Sequence, residues 1–333
     1  MKILSETHIN FIKWRWHALV LSLVVIVLGI GTVIARGGLP LGVDFSGGTV
    51  VVLQFAQPTP EDTVRRGLGA LSDQATVQQF GPAADRSIMI RLPVDGTTEQ
   101  DRSLEEQALR VEQTMRAANV GEFKVINKEI VGPTIGKDLS RKGTLATVTA
   151  LAGILLYIGL RFRFTFAVGA IVATLHDILV TLAFLVWFGY DISLNIIAAI
   201  LTIAGYSVND TIVIFDRVRE NQRTHRREPL ESIVNTAVNQ TLGRTIITAG
   251  TTFLSVVALF LFGGEVLHGF AFTMLVGIVA GTYSTVFIAS AVAILLSGRT
   301  PHVALRGGTG SSTTTAAAPT STGDRGARRR ARG

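Results

Sequence analysis

Asp210 is the residue with the most chemistry to offer. It stands in the string Gly205-Tyr206-Ser207-Val208-Asn209-Asp210-Thr211, inside an otherwise uncharged apolar run over residues 192–214. A carboxylate within such a run costs about 2.5–3.5 kcal/mol to insert in a bilayer, and ionisable groups in membrane segments mark proton or ion paths or partner contacts. A second charge, Arg244, opens the next long apolar run. On a helix, Arg244 is followed by Thr248, Thr251, Thr252 and Ser255 along one polar stripe. Tyr206 and Ser207 lie one turn behind Asp210, and Asn209 directly precedes it. Asp210 lies roughly 9 Å along the helix axis from Asp216, so both charges fall in the same end of the bilayer. A carboxyl whose pairing with Arg244 forms and breaks can load and release a proton as helices shift. A proton crossing the membrane releases about 2.3 kcal/mol per 100 mV. The alternative reading is a fixed ion pair that sets helix packing.

A third span adds His176-Asp177 near its middle. Histidine titrates near neutral pH, which suits a proton relay. Sequential residues point about 100° apart on a helix, so the two side chains need not touch, and water or another residue must bridge from them to Asp210. A structural role in packing is the competing reading. In the last span, Gly269, Thr273, Gly277, Gly281 and Thr285 recur at intervals of four. This is the pattern of close backbone approach between helices. Tyr283-Ser284 interrupts its apolar surface.

The elements that must position these residues are membrane helices. The chain is 48% hydrophobic and 17% charged, which suits a polytopic membrane protein and not a soluble domain. Six apolar stretches of spanning length occur at about 18–35, 143–160, 164–188, 192–215, 245–262 and 269–297. The first has no small-residue cleavage site before Arg36 and is read as an uncleaved anchor. Basic residues fix the expected orientation. Lys2, Lys13, Arg15, Arg161, Arg163, Arg217, Arg219, Arg223, Arg226, Arg227 and Arg299 all fall on one side, while the short loops of the other hold Asp191 and Glu265. Both termini are therefore expected in the cytoplasm, with residues 37–140 outside. The basic residues face anionic lipid, which explains the net charge of +7 without nucleic acid.

The expected organisation is a cytoplasmic N-terminus and first helix at 1–36, an external α+β domain at 37–140, and the remaining five helices at 141–298. A basic tail at 299–333, rich in Gly, Ser, Thr, Ala and Arg, reads as disordered. Within the external domain, strands are expected at 49–55, 76–80, 87–92 and 122–131, with a turn at Gly81-Pro82 and helices at 60–71 and 99–118. This β-α-β-β-α-β order is the split ferredoxin-like arrangement. Leu104, Ala108, Val111 and Met115 form the apolar face of the second helix. Residues 132–136 read as a hinge back to the membrane. Within a cytoplasmic segment at 216–243, Leu230, Ile233, Val234, Ala237, Val238 and Leu242 form an amphipathic helix. It is expected on the membrane surface, with partner contact as the alternative.

Other chemistry has no footing here. There is no phosphate-binding Gly-Lys-Ser/Thr loop and no His-Glu-x-x-His or cysteine metal site, and cysteine is absent altogether. No cofactor is expected beyond a coupling ion, a proton, with sodium as the alternative. The glycines of Gly42-Val43-Asp44-Phe45-Ser46-Gly47-Gly48 precede a strand and not a helix, which argues against phosphate binding. They read as a tight turn with Asp44 and Ser46 bonding local amides.

Taken together, these motifs resemble the SecF branch of the SecD/SecF family of bacterial protein-export membrane proteins. The resemblance runs from about residue 10 to 297. It rests on Gly42, Asp44, Phe45, Gly47 and Gly48 after the first span and on Leu175-His176-Asp177 in the third. It continues through Gly205–Thr211 with Phe215-Asp216-Arg217 and Arg219-Glu220-Asn221, Arg244-Thr245, and Gly281-Thr282-Tyr283-Ser284. The resemblance implies pairing with SecD in a pseudo-symmetric bundle of the resistance-nodulation-division superfamily, beside the SecYEG channel in the inner membrane. It implies use of the proton gradient to pull unfolded preprotein outward after SecA has driven the early stages, with no covalent catalysis. The membrane Asp and Arg of the family fall on Asp210 and Arg244. Two competing readings are a proton-driven exporter of lipids or small molecules from the same superfamily and a purely structural subunit. The Ser/Thr/Ala/Arg tail matches no family motif.

Overall fold

A computed structural model describes residues 7–80, 85–93 and 101–297. Six helices are long and apolar enough to cross a membrane. They are α1 (Arg15–Ala35), entered through a 3-10 turn at Ile12–Trp14, α5 (Pro133–Arg161), α6 (Phe164–Trp187), α7 (Leu194–Thr224), α8 (Leu230–Phe262), and α9 (Gly264–Ser284) continued through a wide π turn at Thr285–Ala289 into α10 (Ser290–Ser297). The protein is a multi-pass membrane protein, with six candidate spans among the described residues and a small antiparallel sheet between the first two.

Several helices outrun their apolar stretches. Polar turns extend α5, α7 and α8 past the expected bounds, because solvated side chains such as Lys137, Arg141 and Glu220 can prolong a helix beyond hydrocarbon. Residues 132–136 are accordingly no hinge. Pro133 occupies the first position of α5, where its missing N–H would have no helical partner. The amphipathic stretch from Leu230 is likewise the opening of α8 and not a separate surface helix. Ile233, Val234, Ala237 and Val238 are buried in one cluster with Ile12, Phe166, Phe215 and Ile294. Their apolar face covers the end of the bundle, which removes more apolar surface than lying flat on lipid headgroups.

Between α1 and α5 lie a helical turn α2 (Val43–Ser46), β1 (Gly48–Phe55), α3 (Glu61–Gly67), β2 (Thr76–Phe80), β3 (Ser87–Leu92), α4 (Asp101–Ala117) and β4 (Phe123–Val131). The sheet order is β2-β3-β1-β4 with all neighbours antiparallel, the split ferredoxin-like topology. The expected Gly81-Pro82 turn and the tail at 299–333 lie outside the described residues. Alternation along β1 divides two cores. Val51, Leu53 and Phe55 pack under α3 and α4 with Val64, Leu68, Ala108, Val111 and Met115. Val50 and Val52 turn the other way, onto Val43, Met89 and Phe80.

That second face meets the bundle. The Gly42 N–H donates to the Ile192 carbonyl (2.8 Å), and the Ile192 N–H donates to the Pro40 carbonyl (2.7 Å). The Asp44 carboxylate does not bond the local amides expected of it. It accepts from the Leu194 N–H at 2.8 Å, capping the start of α7 from across the chain. Ser46 does stay local, donating to the Gly42 carbonyl. Gly47 and Gly48 have φ of 71° and 125°, and a β-carbon on Gly48 would sit 2.4 Å from the Leu92 carbonyl oxygen, so this turn needs glycine. Phe45 packs beside Gly143 of α5. Arg91 pairs with Asp191 in the α6–α7 loop, where Gln78 adds a hydrogen bond.

Candidate functional site

Small residues bring four helices to one buried point. On α1 the inward residues are Ala18, Ser22 and Gly29. A β-carbon on Gly29 would stand 2.3 Å from Ala183 Cβ, so α1 runs hard against α6, and Ser22 reaches His176 seven residues before Ala183. On α9, Gly277 meets Ile203 and Gly281 meets Ser207, both on α7. Two pairs at matching intervals of four make α7 and α9 parallel neighbours and present Ser284 to α6.

Asp177 lies at the centre, with 0% of its surface exposed. Its Oδ2 accepts hydrogen bonds from Ser207 of α7 and Ser284 of α9, the latter at 2.8 Å. Its Oδ1 is 2.9 Å from His176 Nδ1. The other ring nitrogen, Nε2, is 2.9 Å from Ser22 Oγ. Ser22 Oγ lies 3.3 Å from Tyr283 Oη, whose proton is donated to the Ala18 carbonyl at 2.8 Å. The sequential pair expected to point apart therefore touches. The 100° separation applies to Cα–Cβ bonds, and the imidazole is long enough to swing its Nδ1 back to the neighbouring carboxylate. Ser207, which donates to Asp177, stands one turn before Asp210 on the same helix. Ser22, 154 residues from His176, was not among the sequence candidates. Its signal was a lone serine at mid-depth in an apolar helix.

Asp210 is 4% exposed, and its Oδ2 has no hydrogen-bond partner. Among the described residues no ion pair within 4 Å joins it to Arg244. The two do lie on packed neighbours, α7 and α8, and the Arg244 charge acts on Asp210 from beyond contact. Arg244 itself is exposed. Tyr206 Oη and Thr245 Oγ1 are buried without partners too. A buried polar atom left unpaired costs about 1–3 kcal/mol, and α7 and the adjoining α8 carry three of them. The hydroxyls of the Thr248–Ser255 stripe turn back onto their own helix. Each hydroxyl bonds the carbonyl four residues back, with Thr251 and Ser255 exposed. Asn209 is exposed as well.

Residues 110–299 match the C-terminal domain of the protein export membrane proteins SecD/SecF, and residues 32–59 match the SecD/SecF GG motif. A protein translocase subunit SecF from Desulfurispirillum indicum is 40% identical over 287 residues, covering 85% of this chain and 90% of that protein. Another from Pseudomonas aeruginosa is 41% identical over 290 residues, covering 87% and 92%. A crystal structure of SecDF, a translocon-associated membrane protein from Thermus thermophilus, superposes with a TM-score of 0.76 at 36% identity. It covers 88% of this chain, which spans only 39% of that longer one.

Proposed function

We infer the function from kinship and geometry together: this chain belongs to the SecD/SecF family of protein-export membrane proteins and serves as an accessory subunit of Sec-dependent export. We propose that it works with SecD, beside SecYEG and after SecA, to promote the late outward movement of unfolded preprotein. The driving force in this reading is the proton gradient, with no cofactor and no covalent step. The chain sits in the inner membrane with both termini in the cytoplasm and the ferredoxin-like domain outside, as the distribution of arginines supports.

The observation that carries the proposal is Asp210, a carboxyl enclosed by α7 and its neighbours with one oxygen left unpaired. A group that served packing alone would have its hydrogen bonds completed. Arg244 is near enough to be felt and too far to neutralise it by contact. Small helix movements then decide whether the acid is paired, and a proton taken up when it is unpaired and lost when it is paired couples the gradient to movement of the outer domain.

The test is export by vesicles holding this chain, SecD and the channel, under an imposed pH gradient and, separately, a sodium gradient. The pH gradient should drive export, and Asp210→Asn should abolish that drive with assembly intact. Normal export by the Asn variant under a full proton gradient would overturn the mechanism.

A further inference from the structure

The cluster around Asp177 holds one proton position that two states share. Counting donors shows this. Asp177 accepts three hydrogen bonds, from Ser207, Ser284 and His176 Nδ1–H. Tyr283 spends its proton on the Ala18 carbonyl. Ser22 has a single proton and two neighbours that can take it, His176 Nε2 at 2.9 Å and Tyr283 Oη at 3.3 Å. With a neutral imidazole, the Ser22 hydroxyl donates to Nε2. With a proton on both ring nitrogens, Nε2–H donates to Ser22 Oγ, and the Ser22 proton turns to Tyr283 Oη. Both states satisfy the cluster without moving a heavy atom. The imidazolium lies against the Asp177 carboxylate, whose three donors hold it in place in either case.

We propose that Ser22, His176 and Asp177 form a second proton-holding site of this subunit, with Ser22 as the hydroxyl that reverses when His176 gains its proton. The proposal rests on the proton-coupled reading above and adds to it a site distinct from Asp210. One proton enters and leaves at Nε2, the Ser22 hydroxyl turns, and no other covalent bond changes. The ionisable groups turned toward His176 are Asp177 on its own helix and Tyr283 on α9. The facing residue of α1 is the uncharged Ser22, and α7 meets the pair through Ser207, one turn before Asp210. Ser22, His176 and Tyr283 also border a cavity of about 460 Å³ whose other walls, among them Leu21 and Phe253, are apolar. Asp177 holds Nδ1–H, so Nε2 is the nitrogen left to exchange a proton. The chain of groups from Tyr283 through Ser22, His176 and Asp177 to Ser207 crosses α9, α1, α6 and α7. The site thus joins four helices at one point.

The experiment is nitrogen-15 magnetic resonance of the full chain in lipid vesicles with labelled histidines, the His176 signal assigned by its loss in His176→Gln. The expected result is that His176 keeps Nδ1–H throughout, gains and loses a proton at Nε2 between about pH 5 and 9, and has a midpoint that Ser22→Ala moves by one pH unit or more. Ser22→Thr, which keeps the hydroxyl, should restore the midpoint. A His176 fixed in one state over that range, or a midpoint indifferent to Ser22→Ala, would overturn the proposal. A merely structural hydroxyl would lower thermal stability and leave the midpoint alone. Should the parent export preprotein regardless of any gradient, the proton-coupled reading would fall while the resonance titration still decided this site. Should Asp210→Asn abolish gradient-driven export while Ser22→Ala left the midpoint in place, this site alone would fall.

Discussion

Gly277→Ala tests the helix contact on which the buried site depends. A β-carbon at Gly277 would meet Ile203 of α7 at 2.1 Å from Cδ1, 2.5 Å from Cγ1 and 2.7 Å from Cγ2. Turning χ2 relieves only the first of these. Clearing the two γ-carbons needs a change of χ1, and a helical isoleucine has essentially one χ1 well. The helices must therefore separate. Alanine gains about 1 kcal/mol over glycine in helix propensity, while overpacking a tight contact costs about 1–3 kcal/mol. With three atoms inside contact distance the upper part of that range applies, leaving a net loss of about 1–2 kcal/mol. Ile203→Ala alone should cost about 2–5 kcal/mol by leaving a cavity. The double variant fits the new methyl into that cavity, so its loss should fall short of the summed single losses by at least about 1 kcal/mol. Equilibrium unfolding of the purified chain in bilayer-like micelles measures all three. A neutral or stabilising Gly277→Ala, or strict additivity in the double variant, would refute the close approach of α7 and α9.

Two further outcomes follow from the junction between the sheet and the bundle. Burial pushes the Asp191 carboxyl above its ordinary 3.8, against the opposing Arg91 charge and the bonds from Gln78 and Arg91. Because the folded state then holds the proton more tightly, this group's contribution to stability is full below pH 3.8 and is lost as pH rises through the raised value. Asp191→Asn should flatten the dependence of the thermal midpoint on pH above 3.8, and an unchanged slope would contradict the assignment. Asp44→Ala removes the cap from the Leu194 amide, worth about 0.5–2 kcal/mol. That amide should exchange its hydrogen about 2- to 30-fold faster, at about 1.36 kcal/mol per factor of ten, and unaltered exchange at Leu194 would show that the cap carries no weight.

The strands and membrane helices were legible because hydrocarbon and a two-sided sheet each impose a period on the residues. Strands Thr76–Phe80 and Ser87–Leu92 fall at their expected bounds. The helix ends were not legible, since apolar length marks where lipid stops and not where a helix stops. The charged opening turns of α5 show the difference. Asp210 and Asp177 were visible as charges in apolar surroundings, a cost that needs no partner to be noticed. Their partners were not. The Asp44 cap on Leu194 and the Ser22 contact with His176 each join residues at least 150 positions apart. A hydroxyl or carboxylate carries no local mark of a distant amide or ring.

The wide turn at Thr285–Ala289 has an arithmetic consequence for the last span. A π turn accommodates one residue more than α geometry, so the segment after it is rotated by about 100° relative to a straight continuation. Thr285, at the start of the turn, meets Thr211 of α7 (3.2 Å), while at its end a β-carbon on Gly169 of α6 would stand 2.7 Å from the Ala289 carbonyl oxygen and the rotated segment lies against α6. The last span is in effect two cylinders cut out of phase and joined at a seam. Removing a single residue at that seam would leave the hydropathy profile unchanged and turn the whole C-terminal cylinder to the wrong neighbour.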